Sequence, residues 1–171
     1  MKRVANCVLQ NGNQVLMLQK PRFGWWVVPG GKMESTESVA RTIQREFYEE
    51  TNLNIKNPEL RGIFTIVVKD QELVIEEWMM FTFHATDFDG QLTPYSHEGI
   101  LQWQDISQIA ALPKAKGDNI YLEHILDPHS DGLISGTFFY TPDYELISYY
   151  IDQDKKVDST IATMIPTTIQ I

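Results

Sequence analysis

Apolar and polar residues along most of this chain alternate or gather in short blocks, and the period changes once near the start. Val4–Leu9 and Gln14–Leu18 are apolar runs separated by Asn11-Gly12-Asn13, a pattern that predicts two strands joined by a hairpin turn. Lys20–Gly24 predicts a loop, and Trp25–Val28 a short apolar run stopped by Pro29-Gly30-Gly31. From Ser38 to Thr51 the period becomes helical: Val39, Ala40, Ile43 and Phe47 share a face, and Ser38 is placed to cap it. Strand patterns return at Leu60–Lys69 and Leu73–Thr86. Asp87-Phe88-Asp89-Gly90 then has the chemistry of a turn, leading into an extended Gln91–Pro94, with a further strand at Gly99–Gln104. Asp105–Leu112 and Asn119–Leu126 read as helices, the second opened by Gly117-Asp118, and Ile134–Tyr140 and Glu145–Asp152 return to β structure.

Mostly strands, one strongly amphipathic helix inserted early and shorter helices late make an α+β pattern, with helices packed on a mixed sheet. No repeat, low-complexity tract or linker divides the sequence, so residues 1–154 are expected to form one domain. Residues 155–171 are a Thr/Ile-rich tail containing Pro166, which could add a strand or pair across a homodimer. The single cysteine, Cys7, excludes an internal disulfide framework and a multi-cysteine zinc site. No stretch reaches the ~18 apolar residues of a membrane span, and Met1-Lys2-Arg3 is followed by too short an apolar run for a signal peptide. A cytoplasmic protein with no membrane partner is expected. The net charge of −9 opposes binding to polymeric nucleic acid, which requires clustered Lys and Arg. It leaves room for a small phosphorylated ligand, because a divalent cation reverses the local sign.

The early helix carries Arg45-Glu46-Phe47-Tyr48-Glu49-Glu50. At helical pitch Glu46, Glu49 and Glu50 share one side while Phe47 points toward the Ile43 face. Three like charges so spaced repel, each close pair costing roughly 0.2–0.5 kcal/mol on an isolated helix. They are either a solvated acidic face or a site for a hard cation such as Mg²⁺ or Mn²⁺, which prefers carboxylate and carbonyl oxygens. Upstream, Pro29-Gly30-Gly31-Lys32 offers a bend whose backbone can face a ligand and a lysine suited to phosphate.

Taken together these residues read Gly31-x5-Glu37-x7-Arg45-Glu46-Phe47-x-Glu49-Glu50-x-Asn52-Leu53. The segment resembles the Nudix box, G-x5-E-x7-R-E-U-x-E-E-x-G-U with U a bulky apolar residue. All charged positions match, and Asn52 replaces the second glycine, a mild change because Asn also ends helices in the left-handed conformation. The resemblance implies an α/β/α sandwich around a mixed sheet and a hydrolase of nucleoside diphosphates linked to another group, using Mg²⁺ or Mn²⁺. Carried over by position, Glu46, Glu49 and Glu50 face the metal, and a carbonyl of Gly30 or Gly31 completes its shell. Arg45 orients the carboxylates by pairing with Glu37, a structural role shared with Asn52. The general base is implied either on the box helix, at Glu49 or Glu50, or at Glu98 in Ser96-His97-Glu98-Gly99, with His97 a surface residue.

Beyond the box, Leu101–Ile106, Leu112–Leu126, Gly136–Tyr140 and Leu146–Tyr149 are similar to oxidised purine nucleoside triphosphatases, which convert 8-oxo-dGTP to the monophosphate and pyrophosphate. Asp118 falls where those enzymes read the base; its other reading is a cap for its helix. Gly117, Ala115 and Val27 depart from the family's base pocket. Lys20, Arg22 and Lys32 are candidates for phosphate and Asn6 for base contact; Phe23, and Trp78 with Met80 on one strand face, are candidates for stacking, with core packing the other reading of Trp78 and Met80, while Trp103 fits the core and Cys7 a buried filler. Other diphosphate substrates remain open at this stage: a nucleotide sugar, ADP-ribose, a dinucleoside polyphosphate or a canonical triphosphate. So does a sensor that binds nucleotide without turnover.

Overall fold

The first hairpin forms where its turn chemistry puts it. Strand β1 (Lys2–Asn11) returns as β2 (Gln14–Gln19) with Asn11 opposite Gln14, and Gly12 takes a φ of 59° that a Cβ would disfavour. Two short pieces follow: β3 (Trp26–Val27) on β2, and β4 (Gly30–Lys32) on β1. Helix α1 (Val39–Thr51) begins at Ser38, whose Oγ accepts the Arg41 N–H at 3.3 Å, and ends at Asn52 in the left-handed conformation. The chain continues through β5 (Leu53–Lys56), β6 (Glu59–Asp70), β7 (Leu73–Ala85), β8 (Asp87–Gly90), β9 (Tyr95–Ser96) and β10 (Gly99–Asp105). Helices α2 (Ile106–Ile109) and α3 (Lys116–Leu126) precede β11 (Ile134–Tyr140) and β12 (Leu146–Asp152). This computed structural model describes residues 1–130 and 132–152, so the expectations for the 155–171 tail, including a homodimer paired through it, lie outside the described residues.

The main sheet runs β12-β11-β6-β7-β1-β2-β10-β9 and is mixed, with β1/β7 and β6/β11 parallel. One edge of β1 is shared: β4 lies against Val4–Asn6 and β2 against Gln10–Asn11. The Cys7 N–H reaches Pro29 O at 3.0 Å and continues the β4 contact. The glycine segment is thereby fixed to the centre of the sheet. Alternation along the strands sends side chains to two cores. Ala5, Cys7, Leu9 and Leu18 meet Ile43 and Phe47 of α1 on one face; Val8, Met17, Phe64 and Phe138 meet Tyr121, Leu122 and Ile125 of α3 on the other. Helices therefore cover both faces of a mixed sheet, the three-layer sandwich expected. Among the described residues no helix is long and apolar enough to cross a membrane.

Some expectations need correction. Asp87–Gly90 is not a turn but strand β8, paired with β5, a strand the pattern did not predict; Asp89 is held there by Lys56 at 3.0 Å and by the Asn54 side-chain amide at 3.0 Å. Gln91–Pro94 forms no strand. The helix expected over Asp105–Leu112 shrinks to Ile106–Ile109, with Asp105 as its cap. Helix α3 starts before Gly117, at Lys116 with Ala115 in the cap position, so Asp118 lies inside the first turn and does not cap it.

Phe47 is fully buried whereas its neighbour Tyr48 is 47% exposed. Phe47→Ala should cost about 3–5 kcal/mol in urea unfolding, and Tyr48→Ala no more than about 0.5 kcal/mol.

Candidate functional site

Arg45 is the hub of the site. Its Nε and one terminal nitrogen donate to the two oxygens of Glu37 at 2.7 and 2.8 Å, a two-pronged pairing that fixes the guanidinium plane. The other terminal nitrogen donates to Glu46 Oε1 at 2.8 Å and Glu49 Oε2 at 3.2 Å, and the first also reaches Lys32 O at 3.3 Å. Glu37 in turn accepts the Glu34 N–H at 3.1 Å and the Thr42 hydroxyl at 2.9 Å. The bond from Arg45, aided by that from the Glu34 N–H, holds the Glu37 carboxyl down at about 2. Loop and helix are thus tied at one residue, which serves Glu46 and Glu49 and leaves Glu50 to other partners.

Glu50 is 4% exposed. Its Oε2 accepts the Gly30 N–H at 2.8 Å, and Lys20 Nζ stands 4.0 Å from Oε1. Burial pushes the Glu50 carboxyl up to about 7; the charges of Glu98 and Glu46 add to the rise, while the Gly30 amide and Lys20 oppose it. Lys20 also forms a close ion pair with Glu98, and that bond lowers the Glu98 carboxyl. The Glu98 N–H donates to Ser96 Oγ at 3.0 Å, which sets the loop before β10. Gly30 is sterically required, whereas a side chain at Gly31 would have to displace the Glu46 carboxylate. A Cβ on Gly31 would lie 2.2 Å from Glu46 Oε2, and one on Gly30, at φ 151°, would lie 2.2 Å from Ala5 O.

A divalent cation fits this donor set chemically. Glu46 Oε2, Glu49 Oε1 and Glu50 Oε1 take no part in the hydrogen bonds just described, and a buried carboxylate with two acidic neighbours is the environment a hard cation relieves. Among the described residues no three His, Cys, Asp or Glu side chains stand as a ready-made cage; Glu46 and Glu49 are bonded to Arg45, and Glu50 to the Gly30 N–H.

The other sequence-derived residues divide into groups. Phe23 is 51% exposed, with the Arg22 guanidinium 4.9 Å above its ring and Trp25 5.2 Å away; Trp25 meets the ring of Tyr144 edge-on at 6.3 Å. Lys32 is exposed and contributes its carbonyl to Arg45. His97 is a surface residue near Glu98. Met80, Trp78, Trp103 and Cys7 belong to the cores. Asn6 is buried; its amide donates to Met80 Sδ at 3.4 Å, while its Oδ1 and the Oγ of Thr82, directly opposite on β7, have no hydrogen-bond partner among the described residues. Burial pushes the Asp118 carboxyl up to about 7 against the pull of Lys114. No hydrogen bond or ion pair among the described residues links it to the Glu50 cluster. Sequence reasoning missed Thr42 and the Lys20–Glu98 pair. The first sits one helical turn from the Ser38 cap and was legible in principle; the second joins distant segments and has no local signal.

The NUDIX domain profile matches residues 1–125. The chain is 53% identical over 154 residues to the uncharacterized Nudix hydrolase YvcI of Bacillus subtilis (strain 168), covering 89% of this chain and 95% of that one. A crystal structure of a MutT protein from Bacillus halodurans superposes with a TM-score of 0.85 at 51% identity, covering 89% and 98% of the two chains. The CTP pyrophosphohydrolase of Escherichia coli (strain K12) is 25% identical over 127 residues, covering 72% and 90%.

The raised Glu50 carboxyl has a stability consequence with a definite sign. Between its ordinary 4.5 and about 7 the folded protein binds the proton that the unfolded chain has lost, so stability falls as pH rises through that window. In protein freed of metal by chelation the loss is at most about 3 kcal/mol. Glu50→Gln cannot ionise and should flatten the dependence in urea melts taken from pH 4.5 to 7.5.

Proposed function

The chain belongs to the Nudix hydrolase family, and on that footing we propose that it is a nucleoside triphosphate pyrophosphohydrolase, releasing the monophosphate and pyrophosphate. Its preferred substrates are oxidised purine triphosphates such as 8-oxo-dGTP. The observation that carries the chemistry is the buried Glu50 carboxylate, held by the Gly30 amide and surrounded by Glu46, Glu98 and Lys20. The metal would be Mg²⁺ or Mn²⁺, and Glu46, Glu49, Glu50 and the Gly31 carbonyl would hold it. When bound, such a cation supplies Lewis acidity at the bridging diphosphate and offsets the carboxylate charge.

The remaining work falls to the chain's own groups. Arg45 positions Glu46 and Glu49 and keeps the loop on the helix. Lys20 and Lys32 meet phosphate oxygens. Lys20 then leaves Glu98, whose freed carboxylate takes the proton of the attacking water. The alternative base is Glu49 or Glu50 on the helix. Gly30 holds the backbone against the substrate, while Glu37 and Asn52 keep the box in shape. For the base, the unpartnered Asn6 Oδ1 supports recognition of an N–H edge, with Phe23 as a stacking surface. Asp118, poised about neutrality, supports reading a base that presents either a donor or an acceptor. The setting is the cytoplasm.

The test is product formation with Mg²⁺ or Mn²⁺ on dGTP, 8-oxo-dGTP, ADP-ribose and a diadenosine polyphosphate. Pyrophosphate should appear fastest from 8-oxo-dGTP. Glu50→Gln and Glu98→Gln should each lower kcat by roughly 10²-fold or more. Full activity in Glu98→Gln moves the base onto the helix, and a faster competitor on the panel replaces the substrate.

A further inference from the structure

The loop that carries Lys20 is closed on itself. The Lys20 N–H donates to Trp25 O at 2.8 Å, the Gly24 N–H to Lys20 O at 3.0 Å, and the Gln19 side-chain amide to Gly24 O at 3.2 Å. At one side of this neck is the lysine that stands against Glu50 and Glu98; at the other is Trp25, half-buried. A cation suited to phosphate and an aromatic ring are thus neighbours across one backbone hydrogen bond, in the order in which a nucleotide presents its phosphates and its base.

Trp25 is met from a distant part of the chain. Tyr144 lies in the turn between β11 and β12, and its ring stands edge-on to that of Trp25 at 6.3 Å and 81°. Phe23, tilted by 35° at 5.2 Å from Trp25, continues the aromatic surface toward solvent. An edge-on pair leaves ring faces uncovered, and both Trp25 and Tyr144 are only half-buried.

Tyr144 reaches this place through a backbone conformation that its own side chain opposes. Its φ is 61°, and among the described residues it is the one aromatic residue at positive φ. The left-handed region is disfavoured for any residue with a Cβ and is an outlier for a bulky one. The turn enforces it: the Tyr144 N–H donates to Thr141 O at 2.9 Å, the Thr141 N–H to Glu145 O at 2.9 Å, and the Glu145 N–H to Thr141 Oγ at 3.1 Å. The hairpin is in turn seated on the start of α3. Lys116 pairs with Glu145 at 3.3 Å, and a Cβ on Gly117 would lie 2.1 Å from the Tyr140 hydroxyl. A glycine would close the same turn without strain, so chain reversal alone does not account for the ring. Backbone strain retained under a bulky side chain is characteristic of a site held ready for a ligand.

We propose that Tyr144 is a specificity-determining residue: with Trp25 it forms a fixed aromatic corner against which the nucleobase of the substrate stacks. The proposal rests on the hydrolase reading of the Glu50 cluster. Because the loop neck and the hairpin turn are each held by several hydrogen bonds, the corner loses little freedom when a base arrives.

Kinetics with 8-oxo-dGTP, or with whichever nucleotide of the panel is turned over fastest, set against inhibition by inorganic tripolyphosphate, separate the two ends of the site. Tyr144→Gly should raise KM about tenfold, change kcat less than about threefold and leave Ki for tripolyphosphate within about twofold. Tyr144→Phe should behave as the native enzyme, since stacking does not need the hydroxyl. In urea unfolding Tyr144→Gly should exceed Tyr144→Ala by about fivefold or more in the folding equilibrium constant, because glycine relieves the left-handed turn, while both lose the base contact equally. An unchanged KM in Tyr144→Gly, or equal losses for the nucleotide and tripolyphosphate, overturns the inference and leaves the hydrolase reading standing. A native enzyme that hydrolyses no nucleotide of the panel overturns both.

Discussion

The fork between Arg45 and Glu37 is the contact on which the site's geometry depends. It spans the loop that leaves β4 and the second turn of α1, and the same guanidinium holds Glu46 and Glu49. A salt bridge so placed adds little net stability, because desolvation of the ions offsets most of their attraction. Its value is geometric. With Arg45 planar and satisfied on several sides, two like-charged glutamates a helical turn apart can be held close without scattering into solvent. The Thr42 hydroxyl and Glu34 amide fix Glu37 from its remaining sides, so the anchor is itself anchored.

Glu50 lies beyond the reach of that arginine and shows the opposite economy. It is buried, receives one backbone hydrogen bond and has a lysine only at a distance, so its charge is poorly compensated. That imbalance is what makes it a receptive group. Lys20 stands between Glu50 and Glu98 as a movable cation that both carboxylates use.

The legible parts of this fold were those with local chemistry. The Asn-Gly-Asn turn, the Ser38 cap, the helical period through Phe47 and the alternation of β6 and β7 each specify a conformation over a few residues. The illegible parts were decided by distant partners. Asp87–Gly90 has turn composition yet is a strand, because β5 supplies ladder partners and Lys56 and Asn54 satisfy Asp89. Asp118 has a capping residue's chemistry yet sits inside the first turn, because the helix begins at Lys116 with Ala115 in the cap position. In the site, the box could be read as a unit because its spacing is fixed by one helix. Lys20 against Glu98 joins segments whose separation carries no period to recognise.

The arrangement of β1 has a consequence for how the protein is made. β1 pairs in parallel with β7, Lys2 opposite Trp78 and Leu9 opposite Ala85, and β4 hangs from the other edge of β1. The Gly30 N–H that donates to Glu50 is therefore positioned by a strand whose own partner is synthesised much later. A nascent chain that has just emerged through the end of α1 holds every residue of the box and no site. Assembly waits for a long-range pairing of high contact order, the slow kind of event in folding. During that interval a segment dense in carboxylates is kept in solution by its own charge, which protects the growing chain from premature association.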